Sequence, residues 1–217
     1  GAERIRKSDV AAFWPNALCY LRAAVVLSAI VLGTQDCLSA LTVAAFYSAG
    51  ALLDGLDGAM ARALEQETDF GAALDVVVDV ACRGAAWAAA VPGPLGVIPT
   101  WLEMVVFACT HAEGGGAWKT GCFASAPHFI GKIMHNGFRT PLGALVVAGL
   151  HFLPLWLWLT PRLPHQQPVI SAWSAVGAVL VLGRGVALVV ELWVVYRHVD
   201  RMLDCDVVSL NDRVQVG

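Results

Sequence analysis

Apolar residues in this chain come in long blocks that carry almost no charge. A helix that crosses a bilayer needs about 20 mostly apolar residues. Six stretches meet or approach that length: 17–33, 38–62, 71–92, 95–111, 139–160 and 169–197. The breaks between them carry turn chemistry, in Gly33-Thr34-Gln35-Asp36, Pro92-Gly93-Pro94 and Pro161-Arg162-Leu163-Pro164. The longest connection is 112–132, with Gly114-Gly115-Gly116 inside it. No internal repeat stands out. The pattern predicts an all-α membrane protein, a bundle of six transmembrane helices. It reads as a single integral membrane domain over residues 1–217, with a short polar N-terminus and a tail after Arg197.

Composition narrows the class. Hydrophobic residues make up 58% of the 217 and charged residues only 14%, against about 25% in an average soluble domain. So few charges cannot cover a water-facing surface of this size. Mean hydropathy is +0.66. Disorder, a nucleic-acid-binding surface and a secreted disulfide scaffold all fit poorly, and the formal charge of −3 supplies no polybasic patch. The six Cys (19, 37, 82, 109, 122, 205) have no CxxC and no zinc-type spacing, and read as small apolar side chains. Arg4, Arg6 and Lys7 precede an apolar run, but no small-residue cleavage site follows, so this is not the pattern of a cleaved signal peptide. Gly1-Ala2, with no Met start, reads as an expression scar or a truncation point.

The basic residues orient the spans. With six spans both ends share one side, which collects Arg4, Arg6, Lys7, Arg62, Lys119, Lys132, Arg139, Arg197, Arg201 and Arg213, while the opposite loops hold only Arg162. The positive-inside rule puts the crowded side in the cytosol. Trp14, Trp101 and Trp173 lie near span ends, as interfacial anchors do.

Charges inside spans are costly and usually functional. Arg22, Asp54, Asp57, Asp75, Asp79, Arg83, Glu103, Arg184 and Glu191 all lie in or near the apolar blocks. Asp54 and Asp57 share one helix face, and Asp75 and Asp79 share a face of the next. The short 63–70 connection makes these helices expected neighbours, so their four carboxylates can converge. Asp79 lies about 12 Å along its helix from Gly71 at roughly 1.5 Å per residue, which sets the cluster just below the membrane boundary. Clustered carboxylates repel, and a divalent cation resolves the conflict; oxygen donors suit Mg²⁺, Mn²⁺ or Ca²⁺ and not zinc. The bland alternative is salt bridging to Arg22, Arg62 and Arg83. Gly55, Gly58, Ala59, Ala61, Gly71, Ala72 and Ala73 line the same helices and permit close helix or ligand approach.

Asp54-x-x-Asp57-Gly58-x-x-Ala61-Arg62, eight residues, then Gly71-x-x-x-Asp75-x-x-x-Asp79 resembles the signature of the CDP-alcohol phosphatidyltransferases at every defined position. The flanks, Pro15-Asn16 to Arg22 and Phe138-Arg139-Thr140-Pro141, look most like the eukaryotic phosphatidylinositol synthases, over about 15–160. Three places depart from that pattern. Asp69 stands where a basic residue is expected, Val80-Ala81-Cys82-Arg83 where Arg would follow the last aspartate directly, and His135-Asn136-Gly137 where aromatic residues are usual. The departures bear on the acceptor alcohol more than on the reaction class.

The resemblance implies transfer of the phosphatidyl group of CDP-diacylglycerol to myo-inositol with release of CMP, dependent on Mg²⁺ or Mn²⁺. It implies Asp54, Asp57, Asp75 and Asp79 as metal ligands and Asp79 as the base. Asp54, Gly58, Ala61, Arg62, Gly71 and Asp75 would border the CDP-lipid. Candidate acceptor residues are Arg139, Lys132, His135 and Arg83, each with a plainer reading as an interfacial anchor or an ion-pair partner. Arg22 would face the pyrophosphate or pair with an acid, and Glu103, Arg184 and Glu191 would pair within the bundle. Membrane lipids are expected partners and nucleic acid is not; a homodimer agrees with the family. The expected location is the endoplasmic reticulum membrane in a eukaryote or the plasma membrane in a prokaryote, with the active site facing the cytosol. Glycerol 3-phosphate, phosphatidylglycerol or inositol phosphate are alternative acceptors, and a non-catalytic scaffold or transporter is the alternative of another class.

Overall fold

In a computed structural model the chain is described at residues 4–114, 122–123, 126–135, 137–163 and 169–216. Gly1-Ala2, Lys119, Asn136 and Pro164 lie outside the described residues, and so does most of the Gly114-Gly115-Gly116 run. All the regular structure among the described residues is helical. A short helix α1 (Lys7–Ala11) leads into α2 (Trp14–Thr34), α3 (Ala40–Ala63), α4 (Asp69–Ala90), α5 (Ile98–Gly114), the short α6 (His128–Met134), α7 (Pro141–Leu159) and α8 (Val169–Val216).

Six long helices among the described residues overlap the six apolar blocks, and local chemistry sets several of their ends. Ser39, Thr68 and Thr140 cap α3, α4 and α7 by accepting from the backbone N–H of Thr42, Gly71 and Gly143. Pro15 and Pro141 sit in the first turns of α2 and α7, where no N–H is needed. Past α4 the chain breaks at Gly93, with φ of 87°. Pro94–Gly96 then form a single 3₁₀ turn before α5.

Two elements depart from the hydropathy reading. The 112–132 connection runs into α6, whose Ile130, Ile133 and Met134 are buried against Val146, Ala187, Val190 and Val194 of α7 and α8. The last helix does not stop at Arg197 but runs to Val216. Hydropathy marks where lipid ends, and a helix continues past that point if its residues are good helix formers and its pairs support it. Arg197 pairs with Asp200 at 3.0 Å, and Glu113 of α5 holds both Arg201 and His198, the latter at 2.8 Å.

Among the described residues, four helical stretches are long and apolar enough to cross a membrane: Trp14–Thr34, Pro94–Glu113, Pro141–Arg162 and Ile170–Val214. The other two long helices, α3 and α4, are the ones that carry the paired aspartates. Leu41, Leu52, Val181, Leu182 and Leu192 stand exposed along the long helices. A water-soluble fold would bury so extensive an apolar surface, and lipid solvates it.

The packing corrects one expectation. α3 and α4 are not close-packed neighbours; α2 lies against both, and α4 packs in turn on α5 and α7, with α7 on α8. Close approaches use glycine. A Cβ on Gly50 of α3 would run into Val26 of α2, and one on Gly149 of α7 would run into the backbone of Gly183 and Arg184 of α8. Cys19, Val26, Ile30, Val43, Tyr47, Val78, Cys82, Leu155 and Trp158 form the core that joins α2, α3, α4 and α7.

Candidate functional site

α2 carries the residue that organises the aspartates. Arg22 is 2% exposed, and its guanidinium touches all four carboxylates. One terminal nitrogen meets Asp54 and lies 3.6 Å from Asp57 on α3; the other lies 2.8 Å from Asp75 and 3.4 Å from Asp79 on α4. The four aspartates do converge, as their spacing predicts, but across a helix that lies between their own two. Like charges on facing helices would drive α3 and α4 apart, and Arg22 neutralises part of that repulsion.

The remaining oxygens are held locally. Asp57 is buried, accepts the Cys19 thiol at 3.2 Å and takes the Gly58 backbone N–H at 2.6 Å. Asp79 accepts from Arg83 one turn further along α4 at 2.9 Å. Arg83 also donates through Nε to Glu103 of α5 at 2.8 Å and reaches His151 Nε2 of α7 at 3.0 Å. His151 Nδ1 lies 3.0 Å from the Val147 carbonyl. A carbonyl can only accept and an arginine can only donate, so Nδ1 carries the hydrogen and Nε2 accepts. The backbone carbonyl of His151 accepts the Tyr47 hydroxyl at 2.9 Å, which ties α3 to the same network. Arg184 and Glu191 pair within α8 at 2.8 Å. Pairing, one of the two readings for Arg22 and Arg83 and the expected one for Glu103, Arg184 and Glu191, is therefore observed in all five.

Two cavities meet at this cluster. The first, about 510 Å³, opens between α2, the end of α3 and the start of α4. Asn16, Asp57, Gly58, Ala61, Arg62, Gly71 and Asp75 line it, so six of the eight motif positions border this cavity. A Cβ on Gly58 would meet nothing closer than Arg62 Nη1 at 3.6 Å, so the space over Gly58 belongs to the cavity and not to packing. Gly71 differs. A Cβ there would press on Asn16 Oδ1 at 2.9 Å and Thr68 Oγ1 at 3.1 Å, so part of its role is to let α4 start close against α2.

The second cavity, about 330 Å³, lies among α4, α5, α7 and α8 and is lined at its polar end by Asp54, Asp75, Asp79, Arg83, Glu103 and His151. Asp75 borders both cavities. Of the candidate acceptor residues, Arg83 lines the second cavity. Arg139, Lys132 and His135 are exposed and line neither. They flank Gly137 and Phe138, both at positive φ, which turn the chain from α6 into α7 at the cavity's edge.

The donor set fits a divalent cation. Single oxygens of Asp54, Asp75 and Asp79 lie within 4.8 Å of one another, and an equivalent group joins Asp57 and Asp75 with Cys19. Carboxylate oxygens are the hard donors that Mg²⁺ and Mn²⁺ prefer. The thiol of Cys19 is occupied as a hydrogen-bond donor to Asp57, so sulfur does not define the site. Four aspartates against Arg22 and a shared Arg83 leave negative charge for a cation to neutralise.

Residues 12–180 match the CDP-alcohol phosphatidyltransferase family, and the chain belongs to that family. The family is membrane-integral, uses a CDP-alcohol and an alcohol acceptor, and generally depends on divalent metal. A human CDP-diacylglycerol–inositol 3-phosphatidyltransferase is 43% identical over 67 residues. That match covers 31% of this chain and 30% of the human protein's length. No solved structure matches.

Proposed function

We propose that the chain is a phosphatidylinositol synthase, acting as one membrane domain over residues 1–217, that transfers the phosphatidyl group of CDP-diacylglycerol to myo-inositol and releases CMP. The observation that carries this reading is the join of two cavities at a four-carboxylate cluster. One cavity is bordered by the glycine-rich half of the motif, the other by Asp79 and its arginine partner.

In this reading the first cavity takes the CDP group. The bare backbone at Gly58 leaves room for it, and Arg62 faces it from the end of α3 with a guanidinium suited to phosphate. Asp54, Asp57, Asp75 and Asp79 would hold Mg²⁺ or Mn²⁺, which when bound supplies charge neutralisation to the pyrophosphate. Asp79 faces the second cavity and accepts the proton of the acceptor hydroxyl. That oxygen forms its bond to the phosphorus of the phosphatidyl group while the phosphorus–oxygen bond to CMP breaks, and CMP leaves with the electron pair. Arg83 and Arg22 hold Asp79 from two sides, so its position is fixed before substrate arrives.

Six spans with the basic ends of the helices in the cytosol complete the proposal. The start of α2, the end of α3 and the start of α4 meet at the first cavity, and the Gly137-Phe138 turn before α7 edges the second, so in this reading one side serves both CMP and the water-soluble acceptor. The purified chain, given CDP-diacylglycerol and Mg²⁺ or Mn²⁺, should release CMP when myo-inositol is added. Release with glycerol 3-phosphate, phosphatidylglycerol or inositol phosphate instead of inositol would overturn the acceptor assignment, and no release with any acceptor would overturn the enzyme reading.

A further inference from the structure

Glu103, which lines the second cavity, carries a polar atom that the bundle itself does not use. Glu103 is 6% exposed. One of its oxygens accepts Arg83 Nε at 2.8 Å, and the other, Oε1, is buried with no hydrogen-bond partner among the described residues. A buried carboxylate oxygen left without a donor costs free energy, and such atoms are rare unless something else supplies the donor. Glu103 lines the cavity with Asp79, and Arg83 grips both carboxylates.

We propose that this cavity is the acceptor subsite and that Glu103 Oε1 accepts a hydrogen bond from one hydroxyl of a neutral polyol. The inference rests on the transferase reading above and adds to it a location, a ligand class and a recognising residue. Arg83 sets the spacing of the two carboxylates. A polyol that presents one hydroxyl to Asp79 and a second to Glu103 is oriented by the pair. Charge selects against a phosphorylated acceptor. Asp54, Asp75, Asp79, Glu103 and Glu191 line the cavity, and Arg83 is the one arginine or lysine among its described lining residues, already paired to two of those acids. Away from the cation that the aspartates would hold, a phosphomonoester would meet the Glu103 and Glu191 carboxylates with no unpaired arginine or lysine among the described lining residues. Arg139 and Lys132, which would serve a phosphate, stand exposed outside it.

The test is an initial-rate measurement of CMP release by the purified full chain. Acceptors are myo-inositol, each monodeoxy-inositol, an inositol monophosphate, glycerol 3-phosphate and an amino alcohol. Variants are Glu103→Gln, which can still accept from Arg83 but turns the free oxygen into a donor, and Val147→Phe, which fills the same cavity without touching Arg83. The subsite predicts that one deoxy-inositol loses about tenfold or more in the wild type, the size of a hydrogen bond to a charged group. In Glu103→Gln the KM for inositol rises by a similar factor, the KM for CDP-diacylglycerol stays within twofold, and the penalty for that deoxy position disappears. Val147→Phe also raises the inositol KM, and it decides the matter if Glu103→Gln does not fold. A wild type active with inositol and two variants whose inositol KM is unchanged would overturn the subsite and leave the transferase reading intact. Use of a phosphorylated acceptor or an amino alcohol in place of inositol would overturn the ligand class. A chain that releases no CMP with any acceptor removes the reading on which the subsite rests.

Discussion

Arg22 of α2 lies 2.8 Å from Asp75 of α4 while touching Asp54 of α3 with its other terminal nitrogen. One buried cation from outside the motif thus holds the motif's two halves together. Arg22→Ala leaves four carboxylates facing one another with a single shared arginine. Removing one partner of a buried ion pair costs about 3–5 kcal/mol, so the variant should melt well below the wild type in detergent. Arg22→Lys, a point charge on a shorter reach, should recover part of that loss. An Arg22→Ala protein with an unchanged melting temperature would refute the bridging role.

Asp79→Asn keeps the shape of the side chain and its ability to accept from Arg83, but cannot take a proton. If Asp79 is the base, kcat falls by about 100-fold or more while the KM for CDP-diacylglycerol moves little. Single-turnover CMP release is the measurement, and an unaltered rate would remove Asp79 from the chemistry.

Gly58 and Gly71 separate ligand space from packing space. Gly58→Val adds atoms where no protein atom stands within 3.6 Å of a Cβ. It should therefore leave stability close to wild type and raise the KM for CDP-diacylglycerol. Gly71→Val presses on Asn16 and Thr68, and overpacking of this kind costs about 1–3 kcal/mol. Thermal melts read beside KM values check the contrast, which fails if Gly58→Val is the less stable of the two.

Chelation should stop CMP release, and Mg²⁺ or Mn²⁺ should restore it. A cation that binds only the folded chain stabilises it by about 2.7 kcal/mol at a hundredfold excess over its Kd. The melting temperature should therefore rise with added Mg²⁺ in the wild type and not in Asp54→Asn/Asp75→Asn. Zn²⁺ should substitute poorly, since the converging donors are carboxylate oxygens.

Gly149 packs against the backbone of Gly183 and Arg184 where α7 crosses α8. Gly149→Leu should force the helices apart and destabilise by at least 1–3 kcal/mol, roughly the cost of overpacking. It should do so with little change in the metal dependence of whatever activity survives. Dose-response curves for Mg²⁺ on the variant and the wild type test the second half of that statement.

Much of this was legible in the sequence, for definable reasons. Hydropathy blocks mark the long helices of the described residues, and four stretches have the length and apolarity together that lipid demands. The i,i+3 and i,i+4 spacings of Asp54–Asp57 and Asp75–Asp79 put each pair on one face. Spacing within a helix says nothing of what stands between two helices, so the central place of α2 was invisible. The sign that pointed to it was a lone Arg22 in an apolar run, three residues after Cys19. Charge near the start of α7 points to Lys132, His135 and Arg139, which are exposed and line neither cavity. Glu103 carried a signal as the one acid in the middle of its span. The sequence reading accounted for its pairing, which occupies one oxygen of two. The polar stretch after Arg197 gave no apolar block, and its helix continues on ion pairs instead.

Asp75 is the one residue among those described that borders both cavities. If each cavity takes one substrate, neither has to leave before the other arrives, and the chain can hold a ternary complex. Group transfer then proceeds directly between the two bound molecules, with no enzyme-linked phosphatidyl intermediate. Initial-velocity lines for the two substrates should intersect rather than run parallel.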